Sequence, residues 1–210
     1  DATKHHQASS EAFFTPTNRE TMAYKIITQP TVEPVTLDEA KIQCRTDGNE
    51  LDSLLTGVII PAARRSAEHE TGRALCTQTR ELVLDAFPAD FELYGSPIQS
   101  VVSVKYLDES GNEQTLDPQD YILDKDSEPG YVTLAYGKAW PATYAVPNAV
   151  RVRYICGYGD ETDVPENIKA WMLLAIGTMA AQAETMTTKQ ATSLPDRFWH
   201  RLLDLSRIYS

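Results

Sequence analysis

The feature that most constrains this chain is a change in the spacing of its apolar residues, from helical to alternating and back to helical. A helix returns to the same face every three or four residues. A half-buried strand alternates every two, so neither pattern buries its apolar set in the other conformation. Thr36 and Glu39 carry the signature of a capping box, opening a short helix with Leu37, Ala40 and Cys44 on one face. Asp47, Gly48 and Asn49 then break the chain, and a longer helix is predicted from about Glu50 to Thr71. Its apolar stripe reads Leu51, Leu54, Leu55, Val58 and Ala62, with Arg64, Arg65 and Glu68 lying away from it. Pro61 should kink this helix, since it lacks an N–H and crowds the preceding turn, and Gly72 is placed to end it.

The alternating pattern follows. Residues 81–86, 101–107, 131–136 and 150–154 read as half-buried strands of an antiparallel sheet. Leu82 and Leu84, Val102 and Val104, Val132 and Leu134, and Val150 and Val152 form the alternating sets. Asp108 to Asn112 is a hairpin loop leading to a strand at Glu113–Leu116, and Tyr121–Asp124 is a further short strand. Helical spacing resumes at Pro165, and Ile168, Trp171, Met172, Leu174, Ala175, Ile176 and Met179 cover most of a helix running to about Glu184. A last helix is predicted from near Pro195, with Phe198, Leu202, Leu205 and Tyr209 on one face.

These elements define an α+β fold, a small helical bundle formed by N- and C-terminal helices with an antiparallel β-rich insertion. Residues 1–21 read as a leader or extended arm, 22–75 as the N-terminal helices, 76–160 as the insertion and 161–210 as the C-terminal helices. Phe13 and Phe14 are the natural anchors if the first segment is an arm that clasps a neighbour.

Charge narrows the function classes. The formal net charge is −11, and residues 73–160 carry −6 of it. Asp108 to Glu128 hold eight acids, including Asp108, Glu109, Glu113, Asp117 and Asp120, against the single base Lys125. Such a surface repels phosphate, which argues against gripping nucleic acid or an anionic membrane. It fits a solvated acidic face, or a wall past which DNA slides without sticking. No apolar run reaches the roughly 18 residues of a membrane span.

The search for chemistry is negative. Cys44, Cys76 and Cys156 form no CxxC pair and fit reduced, buried thiols. His5, His6, His69 and His200 build no HExxH, because position 73 is arginine. Gly157 and Gly159 fall short of a dinucleotide fingerprint and read as a turn. Asp160, Glu161, Asp163 and Glu166 lack calcium-loop spacing and read as helix capping. No catalytic residue, cofactor or metal is therefore assigned. Apolar and aromatic material instead suggests partners. Phe198, Trp199 and Tyr209, flanked by Arg197 and Arg201, suit either a bundle core or a docking helix.

The phrases Pro34–Lys41, Asp47–Leu55, Ile60–Arg64 and Glu70–Leu75 together resemble the head–tail connector proteins of tailed bacteriophages. Thr77–Pro88, Pro97–Val104, Val146–Val150 and Gly157–Asp160 resemble the branch of that family with a β-rich insertion, so the likeness spans about Pro30 to Ala180. The resemblance implies a non-enzymatic virion protein of the neck, assembled in the host cytoplasm. It implies a ring of about twelve copies under the portal protein, a role that needs two unlike side surfaces which fit each other. DNA would pass through that ring without specific binding, and a tail-side neck or tail-terminator protein would dock below. Part of Asp108–Glu128 or the acidic first helix is expected to face the channel. The last helix is expected to touch the portal, and removing residues 195–210 is expected to leave the fold intact. Three rivals stand beside this reading: a tail-completion protein contacting the tail terminator, a carbohydrate-binding or hydrolytic β module, and a ligand-binding regulatory domain.

Overall fold

The structure, a computed structural model, describes residues 23–184 and 201–208. It has the expected α+β class, with a first strand, then helices, then a run of antiparallel strands, then helices again. The strands form two sheets where the sequence pattern suggested one. β1 (Ala23–Thr28), β2 (Gln78–Leu84), β4 (Ile98–Leu107), β5 (Glu113–Thr115) and β8 (Val150–Cys156) make a five-stranded sheet in the order β1-β2-β8-β4-β5. β3 (Asp90–Leu93), β6 (Tyr121–Asp124) and β7 (Gly130–Leu134) make a three-stranded sheet in the order β3-β7-β6. β1 and β3 were not anticipated. β1 precedes the first helix, so the larger sheet draws its edge strand from outside residues 76–160.

The inner faces of the two sheets share a core. Leu82, Leu84, Val104, Val150, Val152, Tyr154 and Cys156 meet Phe91, Leu93 and Val132 from the smaller sheet. β8 is central and follows strict alternation, with Val150, Val152, Tyr154 and Cys156 inward. β4 does not. Register shifts between Ile98 and Ser100 and between Val101 and Ser103 turn Val102 outward, 53% exposed, and leave Val104 as the buried residue. The extra residue of a bulge reverses which side chain faces the core.

The helices carry a second core. α1 (Leu37–Cys44) opens with the expected capping box: the Thr36 hydroxyl accepts from Glu39 N, and the Glu39 carboxylate accepts from Thr36 N at 2.7 Å. The predicted long helix is one helical run built of α2 (Asp52–Leu54), a π turn (Leu55–Ile59) and α3 (Ile60–Thr71). Pro61 follows directly on the π turn, whose wider hydrogen bonds, such as Ile60 N to Leu55 O, stand where the ring interrupts the regular ladder. The π turn rotates everything after it. Val58, expected in the stripe, is exposed, whereas Leu55, Ile59, Ile60, Ala63 and Ala67 are buried. The same rotation buries Arg64 and Glu68, which were expected on the polar side.

α4 (Glu166–Glu184) is central, as its apolar circumference predicts, and buries Ile168, Met172, Ala175 and Ile176 against α1 and α3. Residues 201–204 are helical and return to this bundle. Leu203 is fully buried, while Leu205, expected in the stripe, stands out in solvent. Asn167 Nδ2 donates to Leu202 O and Ser206 Oγ, both at 2.9 Å, and Ile208 N donates to Thr71 O. Removal of residues 195–210 would therefore strip the bundle of a core side chain and of these bonds, contrary to the expectation that the fold would survive it.

Replacing Met172 or Leu203 by alanine should cost about 2–5 kcal/mol each, measured by chemical denaturation. Val102→Ala should change stability by less than about 0.5 kcal/mol, because the bulge holds that side chain in solvent.

Candidate assembly surface

Bundle and sheets are joined by a buried polar seam. Glu68 is its centre: one carboxylate oxygen accepts from Leu75 N at 3.0 Å and Gln78 Nε2 at 2.7 Å, and the other from Arg64 Nη1 at 3.2 Å. Arg64 Nε also donates to Glu33 at 2.8 Å. One carboxylate thus ties α3 to the loop behind it and to the first residue of β2. Close by, Arg73 makes a two-pronged pair with Glu128, at 2.6 and 2.5 Å, and donates Nε to Ser206 O. Arg73 also lies over the ring of Tyr158. Gly157 must be glycine: its φ is 114°, and a Cβ there would overlap the backbone of Cys76. That close approach lets residues 157–159 lace onto 75–77, through Tyr158 N to Leu75 O at 3.2 Å and Thr77 N to Gly159 O at 2.9 Å. Sequence spacing could not reveal the seam. An i,i+4 Arg–Glu pair on a helix ordinarily reads as exposed, and only the π turn carries this one inward.

Most of the acids singled out in the sequence have local structural work. Asp108 accepts from Ser110 N, Asn112 N and the Gln114 amide, and these bonds hold its carboxyl below the usual range. Glu113 pairs with Lys105 at 2.7 Å, and Asp120 pairs with Lys138 at 2.5 Å. Asp117 caps a single 3-10 turn by accepting from Gln119 N at 2.9 Å, and has no cation within ion-pair distance among the described residues. Glu109 is exposed at the hairpin tip. Asp160 accepts from Thr162 N and Oγ1, so the acidic cluster before α4 organises the turn into the helix.

The outer face of the larger sheet has the opposite character. Glu81 lies between Lys25 and Arg153, both at 2.8 Å. Arg151, one row along, faces Lys105 across the strand pair, with Glu113 beyond. Four cations and two carboxylates therefore occupy a face that pattern reasoning left uncharacterised. On the inner side, at the β1 edge, Tyr24, Ile26, Arg65, Glu68, His69, Gly72, Arg80 and Tyr94 enclose a cleft of about 220 Å³.

Of the predicted partner contacts, Arg201 is described and exposed. Arg197, Phe198, Trp199 and Tyr209 lie outside the described residues, as do the arm anchors Phe13 and Phe14. Among the described residues no group of three or more His, Cys, Asp or Glu could hold a metal ion, and no helix is long and apolar enough to cross a membrane.

Glu68→Ala should destabilise the fold by about 3–5 kcal/mol, since it leaves Leu75 N and Gln78 Nε2 buried without their acceptor and Arg64 with Glu33 as its remaining carboxylate, whereas Glu113→Ala should cost less than about 1 kcal/mol. The hydrogen bond from Arg73 holds the Glu128 carboxyl below its ordinary 4.5. A depressed carboxyl stabilises the fold above its unfolded value and loses that contribution as pH falls through the folded one. Stability should therefore drop below pH 4.5, and Glu128→Gln should flatten that drop in a series of melts against pH. Burial pushes the Cys76 and Cys156 thiols up to about 12, so a thiol reagent should modify both only on unfolding.

No family model matches this chain, and no curated protein matches it in sequence. Solved structures do share its fold. A chain in the neck of an empty gene transfer agent particle, computed with C6 symmetry, superposes with a TM-score of 0.71 at 20% identity. A chain in the virion of a native gene transfer agent particle gives 0.72 at 17%, and one in the native neck computed with C12 symmetry gives 0.65 at 19%. In each case the match covers 90% of this chain and 97% of the other.

Proposed function

We propose that this chain is a structural subunit of the neck of a tailed-phage-like particle, a head–tail connector that forms a ring under the portal, extends the DNA channel and docks the tail. The observation that carries this reading is the near end-to-end likeness of fold to chains in gene transfer agent particles, two of them described as necks. Those necks were computed with C6 and C12 symmetry, which favours a homo-oligomeric ring. The physical build agrees with the role. A ring subunit under load needs parts that do not shift against each other, and the Glu68 and Arg73 seam locks bundle to sheets.

In this reading the β4–β5 hairpin, with Glu109 at its tip, faces the channel, where unpaired negative charge keeps DNA from sticking. The bases on the outer sheet face, Lys25, Arg151 and Arg153, point toward protein. Residues around Arg201 contact the portal, with Arg197, Phe198, Trp199 and Tyr209 as further candidates.

Electron imaging of particles assembled with this chain should place it as a ring between head and tail; its absence from the neck would overturn the reading. Because residues 203–208 are part of the bundle, the portal contact is tested by Arg201→Glu. This variant should melt at the wild-type temperature yet bind purified portal at least tenfold more weakly. Unchanged portal binding would remove Arg201 from that interface.

A further inference from the structure

The cleft at the β1 edge has a charged floor that the neck reading leaves unused. Arg80 is 4% exposed, and no carboxylate lies within 4.0 Å of its guanidinium among the described residues. Its hydrogen bonds are long: Nε donates to Gln78 Oε1 at 3.4 Å and Nη1 to Tyr94 O at 3.5 Å, and Nη2 makes none among the described residues. The fold reserves space for this group, since Gly95 has a φ of 92° and a Cβ there would collide with the guanidinium. Tyr24 covers the guanidinium at 5.1 Å from its ring centroid and stacks on Tyr94. Arg65 and His69, one turn apart on α3, line the same cleft and are exposed. Neither has an ion-pair partner among the described residues. Glu68 lines it too, but its oxygens already accept from Arg64, Leu75 N and Gln78.

Charge, shape and size together select a ligand class. A guanidinium takes a carboxylate through two parallel N–H bonds, and bonds as long as those of Arg80 exchange readily for shorter charge-assisted ones. Arg65 at the mouth draws a negative group inward. A dianion fits less well, because Glu68 adds a fixed negative charge to the floor and repels a phosphate about twice as strongly as a carboxylate. The other walls are apolar, formed by the rings of Tyr24 and Tyr94 and the side chain of Ile26. A cavity of about 150 Å³ holds a benzene ring. The cleft, at about 220 Å³, therefore has room for a ring and a carboxylate. We propose that the Arg80 cleft binds a carboxylate borne on an aromatic or apolar body. Arg80 grips the carboxylate, Arg65 steers it in, and Tyr24 and Tyr94 pack against the body. That chemistry has two sources, a free aryl acid or an acidic side chain presented by a protein. The site does not depend on the neck reading.

Calorimetric titration of the full chain with sodium benzoate tests this, with sodium phosphate at matched ionic strength as the comparison. Wild-type protein should bind one benzoate per chain and bind phosphate at least tenfold more weakly. Arg80→Gln should weaken benzoate binding at least tenfold while still melting cooperatively. Arg65→Glu changes an exposed side chain, so it keeps the test open should the buried substitution unfold the protein. It should melt at the wild-type temperature and weaken benzoate at least threefold. Absence of saturable benzoate binding, phosphate binding as tight as benzoate, or wild-type affinity in either folded variant would overturn the site. With benzoate bound, its effect on purified portal names the source. Competition assigns the carboxylate to the portal, and unchanged portal binding assigns it to a free acid.

Discussion

The rest of the structure depends on one buried carboxylate. Glu68 leaves α3 and meets Leu75 N in the following loop, Gln78 at the start of β2 and, one turn back on its own helix, Arg64. A charge in the interior is tolerated only where its lone pairs are filled, and here two of the three bonds that fill them leave the helix for the chain that leads into β2. Apolar contact alone would let the helical core and the sheet core slide, because dispersion has little directionality. The carboxylate fixes the angle between them.

The position of that carboxylate follows from the π turn. Residues 55–59 take one more residue per turn than an α-helix, so α3 meets the core through Ile60, Ala63, Arg64 and Ala67. A reading at constant period keeps Val58 and Ala62 on the stripe and sends Arg64 and Glu68 to solvent. Pro61 marked the place where the helix would deviate, but only geometry shows whether a proline bends a helix or rotates its register.

Other parts were legible because their determinants are local. The Thr36–Glu39 capping box, the alternation of β8 and the apolar girth of α4 each depend on neighbours within a few residues. What escaped depends on pairing across the chain. β1 has no strong alternation of its own and exists because β2 offers it an edge. β3 is four residues long and pairs with β7, nearly forty positions away. The bulge in β4 inverts Val102 without any glycine to announce it. The division of the acids into hairpin, cap and ion-pair duties needed coordinates. The β1-edge cleft was invisible for the same reason, since Tyr24, Arg65 and Arg80 come from three separate elements.

The bond from Arg73 to Ser206 spans 133 residues, with seven of the eight strands lying between its ends. Closing a loop that long is less costly than its length suggests, because the entropy grows only with the logarithm of length, about 0.6 kcal/mol per doubling. The helical bundle is therefore nearly indifferent to how much chain the β part contains. Hairpins could be added to or lost from the far sheet, reshaping whatever it touches, while the helices continued to meet in the same way. Such an arrangement lets a scaffold keep one attachment geometry while the surface it displays diversifies.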